Sequence, residues 1–178
     1  MTESPLSDLE KLRRLVIVIH TAARNLGYFR GARTMTHKDV SIHLQDIQRR
    51  IDNNFLDIGV FEWCKLFADR ENQHWTRTLP TAQHHDFACG LYALAGTDEA
   101  GWRGYVDEFL IYRDKFLGHL DNRRTMNIPK LDRALEALHY YAQHLRQHHP
   151  MASTIPRSEF DVDRIVSDAM QQAQQYLP

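Results

Sequence analysis

Apolar residues recur every three or four positions along most of this chain, and no stretch alternates convincingly with a period of two. Side chains advance by about 100° per residue in an α-helix and by a half-turn in a strand, so this spacing lines up faces of helices and leaves no half-buried sheet. The first seam is Leu9, Leu12, Val16, Ile19, Ala23 and Leu26. Ser4-Pro5 and Ser7-x-x-Glu10 supply start chemistry, since a serine hydroxyl accepts an early amide and a glutamate three residues on reaches back. The run Val16-Ile17-Val18-Ile19 has strand propensity, but the surrounding period makes it a helix buried on more than one side. Gly27 and Gly31 are expected to loosen the end of that helix.

A second seam follows Thr36-x-x-Asp39 through Val40, Leu44, Ile47, Ile51, Phe55 and Ile58, with Gly59 read as a bend before Phe61-Glu-Trp-Cys-Lys-Leu-Phe67. Residues 69–80 are polar and read as a loop. Phe87, Leu91 and Leu94 mark a shorter helix ending near Gly96, after which Thr97-Asp98-Glu99 caps the next. Pro129 is placed in the first turn of a helix with the seam Leu131, Leu135, Leu138, Ala142 and Leu145. Two prolines with Ser and Thr make 150–158 a linker, and Val162, Ile165, Val166, Ala169 and Tyr176 give 159–178 a last amphipathic helix, able to fold back or dock on a partner. The expected architecture is an all-α antiparallel bundle over 1–149 with an extra C-terminal helix.

A length of 178 residues with 43% hydrophobic content is enough for one core. The first residues lack signal-peptide order, and the run 15–19 is too short to span a bilayer, so a soluble cytoplasmic protein without membrane contact is expected. Cys64 and Cys89 lack CxxC spacing and are read as buried thiols. A net charge of −1 excludes a globally basic nucleic-acid binder, so any such contact must be focused. Arg123, Arg124, Lys130 and Arg133 form one local concentration of charge.

Chemistry concentrates in Tyr112-Arg-Asp-Lys-Phe-Leu-Gly-His-Leu-Asp-Asn122. At helical spacing Trp102, Tyr105, Val106, Phe109, Leu110, Phe116 and Leu117 share an apolar arc, and Arg113 projects from its middle. A guanidinium keeps its charge in a protein, so it needs either an internal carboxylate or an open cleft. Gly118 is placed to end the helix, which lets His119 fold back towards Arg113. Fixed cation, carboxylate and imidazole around one helix end suit a phosphodiester: arginine holds charge while histidine moves protons near neutral pH. His144 and His148, four apart, offer a weaker metal pair, and Trp63 and Trp102 fit the core better than base stacking. No Gly-rich phosphate loop and no HExxH is present, and no cofactor is expected.

Arg-polar-x4-His at a helix end of an all-α bundle resembles the HEPN superfamily. The wider pattern of Phe61-Glu-Trp-Cys-Lys-Leu-Phe67, His74-Trp75, Trp102-x-x-Tyr105 and the stretch from Tyr112 to Asp121 looks like its AbiU-type branch, associated with abortive phage infection, over residues 36–145. That resemblance implies a homodimer paired through the motif-bearing helices and a metal-independent endoribonuclease of a defence or toxin system, with RNA as substrate and an antitoxin protein as a further partner. Arg113 would stabilise the phosphorane, His119 would act as base or acid and Asp114 would orient one of them. Lys65, His74, Asp121, Arg123 and Arg124 would line the RNA cleft. Asp121 stands where toxins adenylylated by a partner nucleotidyltransferase carry tyrosine, so the resemblance does not extend to that control. Other members of the superfamily are non-catalytic modules that bind a protein, RNA or nucleotide.

Overall fold

Ser7 starts the first helix as its spacing from Glu10 predicts. Its hydroxyl accepts the Glu10 amide at 3.3 Å, and the Glu10 carboxylate accepts the Ser7 amide at 2.8 Å, so the two satisfy each other's exposed backbone donors. In the computed structural model, which describes residues 5–34, 42–71, 73–114 and 127–176, all regular structure is helical. The helices are α1 (Asp8–Arg33), α2 (Ile42–Phe67), α3 (Trp75–Thr78), α4 (His84–Leu94), α5 (Glu99–Tyr112), α6 (Leu131–His148) and α7 (Val162–Tyr176), with short 3-10 segments at Thr81–Gln83, Ala152–Thr154 and Arg157–Phe160. None of the described helices is long and apolar enough to cross a membrane.

Helix α1 is the spine. It packs against α2, α6 and α7, burying Leu12, Leu15, Val16, Ile19, Ala22, Ala23 and Leu26. Ile17 is 61% exposed, so the β-branched run is covered on one side only, contrary to the expectation from its apolar content. The glycines also act differently from that expectation. Helix α1 runs unbroken through Gly27 and Gly31 to Arg33, and both sit where α7 lies against it: a Cβ on Gly31 would fall 2.5 Å from the Met170 carbonyl oxygen, and one on Gly27 would fall 2.9 Å from that of Val166. Gly59 does not bend α2, which is continuous there. It admits the Leu26 side chain, 2.6 Å from where a Cβ would stand.

These contacts fix directions. Leu26 opposite Gly59 and Tyr28 opposite Phe55 make α2 antiparallel to α1, and the Arg30–Asp132 ion pair with His149 near Asp8 makes α6 antiparallel as well. Gly27 against Val166 and Gly31 against Met170 make α7 parallel to α1. The stretch 150–158, expected to be a linker, is itself packed: Ala152 and Ile155 are buried, as is Phe160 just beyond it.

Trp63 anchors the other side of the core. It is fully buried, its indole N–H donates to the Ala134 carbonyl at 3.2 Å, and its ring lies 4.0 Å from that of Phe109. Trp102 is buried beside it, so both tryptophans are core. Helix α5 therefore crosses α2, while α4 leans on α6. Gly96 turns the chain between α4 and α5 at φ 60°, and Asp98 caps α5 by accepting the Gly101 amide at 2.8 Å. Two local expectations are corrected. Pro129 stands ahead of the Lys130 cap, outside the first turn of α6, and Cys89 is exposed while Cys64 is buried.

Candidate functional site

Helix α5 ends as Arg113 leaves the core. Tyr112, one residue earlier, is buried and donates its hydroxyl to the Asp57 carboxylate of α2 at 2.7 Å, which pins the last turn of α5 to α2. Burial raises the Asp57 carboxyl above its ordinary value despite that bond. Arg113 itself turns outward, with 21% of its side chain exposed. Its Nε donates to Asp114 at 2.8 Å, and its Nη1 donates to Asp69, on the turn that follows α2. Partial burial pulls the guanidinium's pKa down, but the bonds to Asp69 and then Asp114 outweigh it, and the net shift is upward.

Asp69 is presented by a tight turn in which its amide and that of Ala68 both reach the Cys64 carbonyl at 2.8 Å. Beneath it the Cys64 thiol, fully buried, is pushed up to about 12 by burial and is inert at neutral pH. The open space above is a cavity of about 710 Å³ bounded by Lys65, Asp69, Arg70, Glu71, Arg113 and Asp114. Lys65 is a member of this wall, held by Glu62 at 2.7 Å and lying over the Phe61 ring at 4.7 Å. Three fixed cations face three carboxylates here, so the cavity as a whole is neutral.

The structure brings Arg113, Asp114 and Lys65 together. His119, Asp121, Arg123 and Arg124 lie outside the described residues. His74 belongs elsewhere: it is 4% exposed, caps α3 by accepting the Thr76 amide on Nδ1 at 3.2 Å, and lines a neighbouring cavity of about 600 Å³ with Trp75, Tyr92, Trp102 and Arg103. Burial lowers its pKa to about 4, so it is a neutral structural group at pH 7. The presence of α3 also revises the reading of 69–80 as loop throughout.

Asp69 is the site residue that sequence reasoning does not name. An internal carboxylate is one of the two ways to satisfy Arg113, but a partner 44 positions away carries no spacing signal. For the histidine pair, His144 Nε2 is bonded to Gln83 at 2.9 Å, and the His144 and His148 rings lie 4.5 Å apart. Among the described residues no three His, Cys, Asp or Glu side chains gather to hold a metal ion. Compared with known proteins, the chain matches no family model, no curated protein and no solved structure.

Proposed function

We propose that the chain is a HEPN-type endoribonuclease of a defence or toxin system, working as a homodimer and cleaving single-stranded RNA by attack of the 2′-hydroxyl on its own phosphate. The observation that carries this reading is Arg113: a permanently charged guanidinium, oriented by Asp69 and Asp114, standing in the wall of an open cavity with Nη2 unused among the described residues. A planar fork with two free donors fits two phosphate oxygens. His119, six positions on in sequence, supplies the proton acceptor that a 2′-hydroxyl needs, and the guanidinium supplies charge for the phosphorane.

The expected products are cyclic phosphate ends, formed in the presence of chelator, with matched DNA left intact because it lacks the nucleophile. His119→Ala and Arg113→Ala are each expected to lower the rate about a hundredfold or more, and Arg113→Lys to be impaired as well, because a point charge cannot reproduce the fork. Sequencing of RNA ends, with circular dichroism to establish folding, checks all three. Unimpaired cleavage by folded His119→Ala protein sinks the mechanism.

A second reading has its own observation. Asp69 and Asp114 already balance the guanidinium, which suits a non-catalytic HEPN module in which Arg113 clamps the end of α5 onto the turn after α2. Asp69→Asn separates the two. For a catalytic arginine, removing a carboxylate that competes with phosphate lowers KM for RNA and, by loosening the fork, lowers kcat. For a clamp it changes only the melting temperature.

A further inference from the structure

A second cavity, of about 560 Å³, lies between the first turns of α1, the 73–78 segment and the residue after α6. Its charge differs from that of the Arg113 cavity. Lys11, Arg14 and Arg77 line it against a single carboxylate, Asp8, and Lys11 already holds that carboxylate at 3.0 Å. In a chain of net charge −1 this is a focused excess of positive charge, whereas the Arg113 cavity pairs three cations with three carboxylates. Arg14 is exposed and makes no hydrogen bond or ion pair among the described residues, and Arg77 is fixed only through Nε, which donates to the Arg70 carbonyl at 3.4 Å.

The first-turn amides of α1 are not the attraction, because Ser7 and Glu10 already cap them. The third nitrogen-bearing side chain, His149, is neutral at pH 7, since burial lowers its pKa, and its Nδ1 accepts the Met151 amide at 3.2 Å. No Phe, Tyr or Trp lines the space, and its floor is Leu12 and Leu15, so a base has no ring to stack on. The lining is suited to phosphate rather than to base.

Gln73 lines this cavity and the Arg113 cavity alike, and Arg70, in the wall of the latter, carries the carbonyl that holds Arg77. We infer that the Lys11–Arg14–Arg77 cavity grips the phosphates of a single-stranded RNA whose cleaved linkage lies at Arg113, the strand passing over Gln73. This rests on the RNA reading of Arg113 and adds where most of the binding charge resides. The grip is electrostatic and independent of sequence, because nothing in the lining reads a base edge.

The test is fluorescence anisotropy of a labelled single-stranded RNA of roughly a dozen nucleotides, a length in the range of such sites, titrated with the full chain carrying His119→Ala to block cleavage. Adding Arg14→Glu and Arg77→Glu is expected to weaken binding at low salt at least tenfold and to reduce the salt slope by about two, one for each cation removed. In the cleaving background the same pair is expected to leave kcat on a dinucleotide unchanged, because so short a substrate does not reach Gln73. Arg14→Gln alone, at an exposed unbonded position, gives a smaller loss in the same direction and guards against misfolding of the double variant.

Equal RNA affinity in the charge-reversed and parent proteins overturns the inference while leaving cleavage at Arg113 intact. Pyrophosphate bound at this cavity but not displaced by RNA overturns it too, and points to a free phosphate ligand. Loss of RNA binding on charge reversal in a chain that cleaves neither RNA nor dinucleotide upholds the grip and removes the catalytic reading.

Discussion

Burial decides what His74 can do. With its imidazole held near pKa 4 by desolvation, the folded chain refuses a proton that the unfolded chain accepts at about 6.5. Its contribution is therefore fully present above pH 6.5 and is lost as pH falls from there towards 4, by roughly 3 kcal/mol across the window. His144 and His149, also shifted down by burial, act in the same direction, while Asp57, shifted up, opposes them at the acid end. Urea midpoints measured from pH 7 to 4.5 are expected to fall, and to fall less steeply in His74→Asn, whose amide still caps α3 but does not titrate. An unchanged slope would place the acid sensitivity elsewhere. In sequence, His74 is indistinguishable from a cleft histidine, because His-Trp names two residue types and says nothing of which way the chain turns. Arg113 is more legible: a cation amid apolar neighbours at helical spacing has to meet a carboxylate or a cleft, and it meets both. Asp69 is not legible, since only the crossing of α5 over α2 brings it near.

At the level of elements, caps and seams can be read while close approaches cannot. Ser7 with Glu10 and Asp98 with Gly101 act through neighbours three residues away, so spacing alone exposes them. Gly27 and Gly31 escape such a reading because a glycine's reason for being in a helix lies on the partner helix, here α7, about 140 positions further along. The difference predicts opposite signs for one substitution. In α5, Gly104 has nothing within 4 Å of where a Cβ would stand, so Gly104→Ala is expected to stabilise by up to about 1 kcal/mol through helix propensity. Gly31→Ala gains the same propensity, but its methyl meets the Met170 backbone at 2.5 and 2.8 Å, which cannot swing aside as a side chain can. A net loss of about 1–3 kcal/mol is expected. Chemical denaturation of both variants checks the pair, and equal stabilisation would mean that α7 does not lie this close. The amphipathic pattern of α7 is plain in the sequence; its parallel seat on α1 is not, because a period fixes a face and leaves its partner open.

For the whole molecule, the remaining question is what meets the outer faces of α2 and α5. Ile58 and Phe61 on α2 and Ile111 on α5 are 45–49% exposed, and the first and last of these are sequence neighbours of the bonded pair Asp57 and Tyr112. Apolar side chains here lie beside the turn that ends in Arg113, so a two-fold contact over them would set two Arg113 cavities near one another, as the proposed dimer requires. A stable pairing buries roughly 800 Å² on each partner with apolar side chains at its centre, and placing a carboxylate there desolvates a charge with no partner. Phe61→Asp and Ile111→Asp are accordingly expected to convert a dimer to a monomer in sedimentation velocity at about ten micromolar, a concentration set by ordinary interface affinities. Ile17→Asp is the matched control: Ile17 is 61% exposed on α1, away from α5, and the same charge there is expected to leave the sedimentation coefficient unchanged. RNA cleavage is expected to fall with dimerisation in the first two variants and to persist in the third. A parent protein that sediments as a monomer while cleaving RNA would detach the activity from pairing and require Arg113 and His119 of a single chain to suffice.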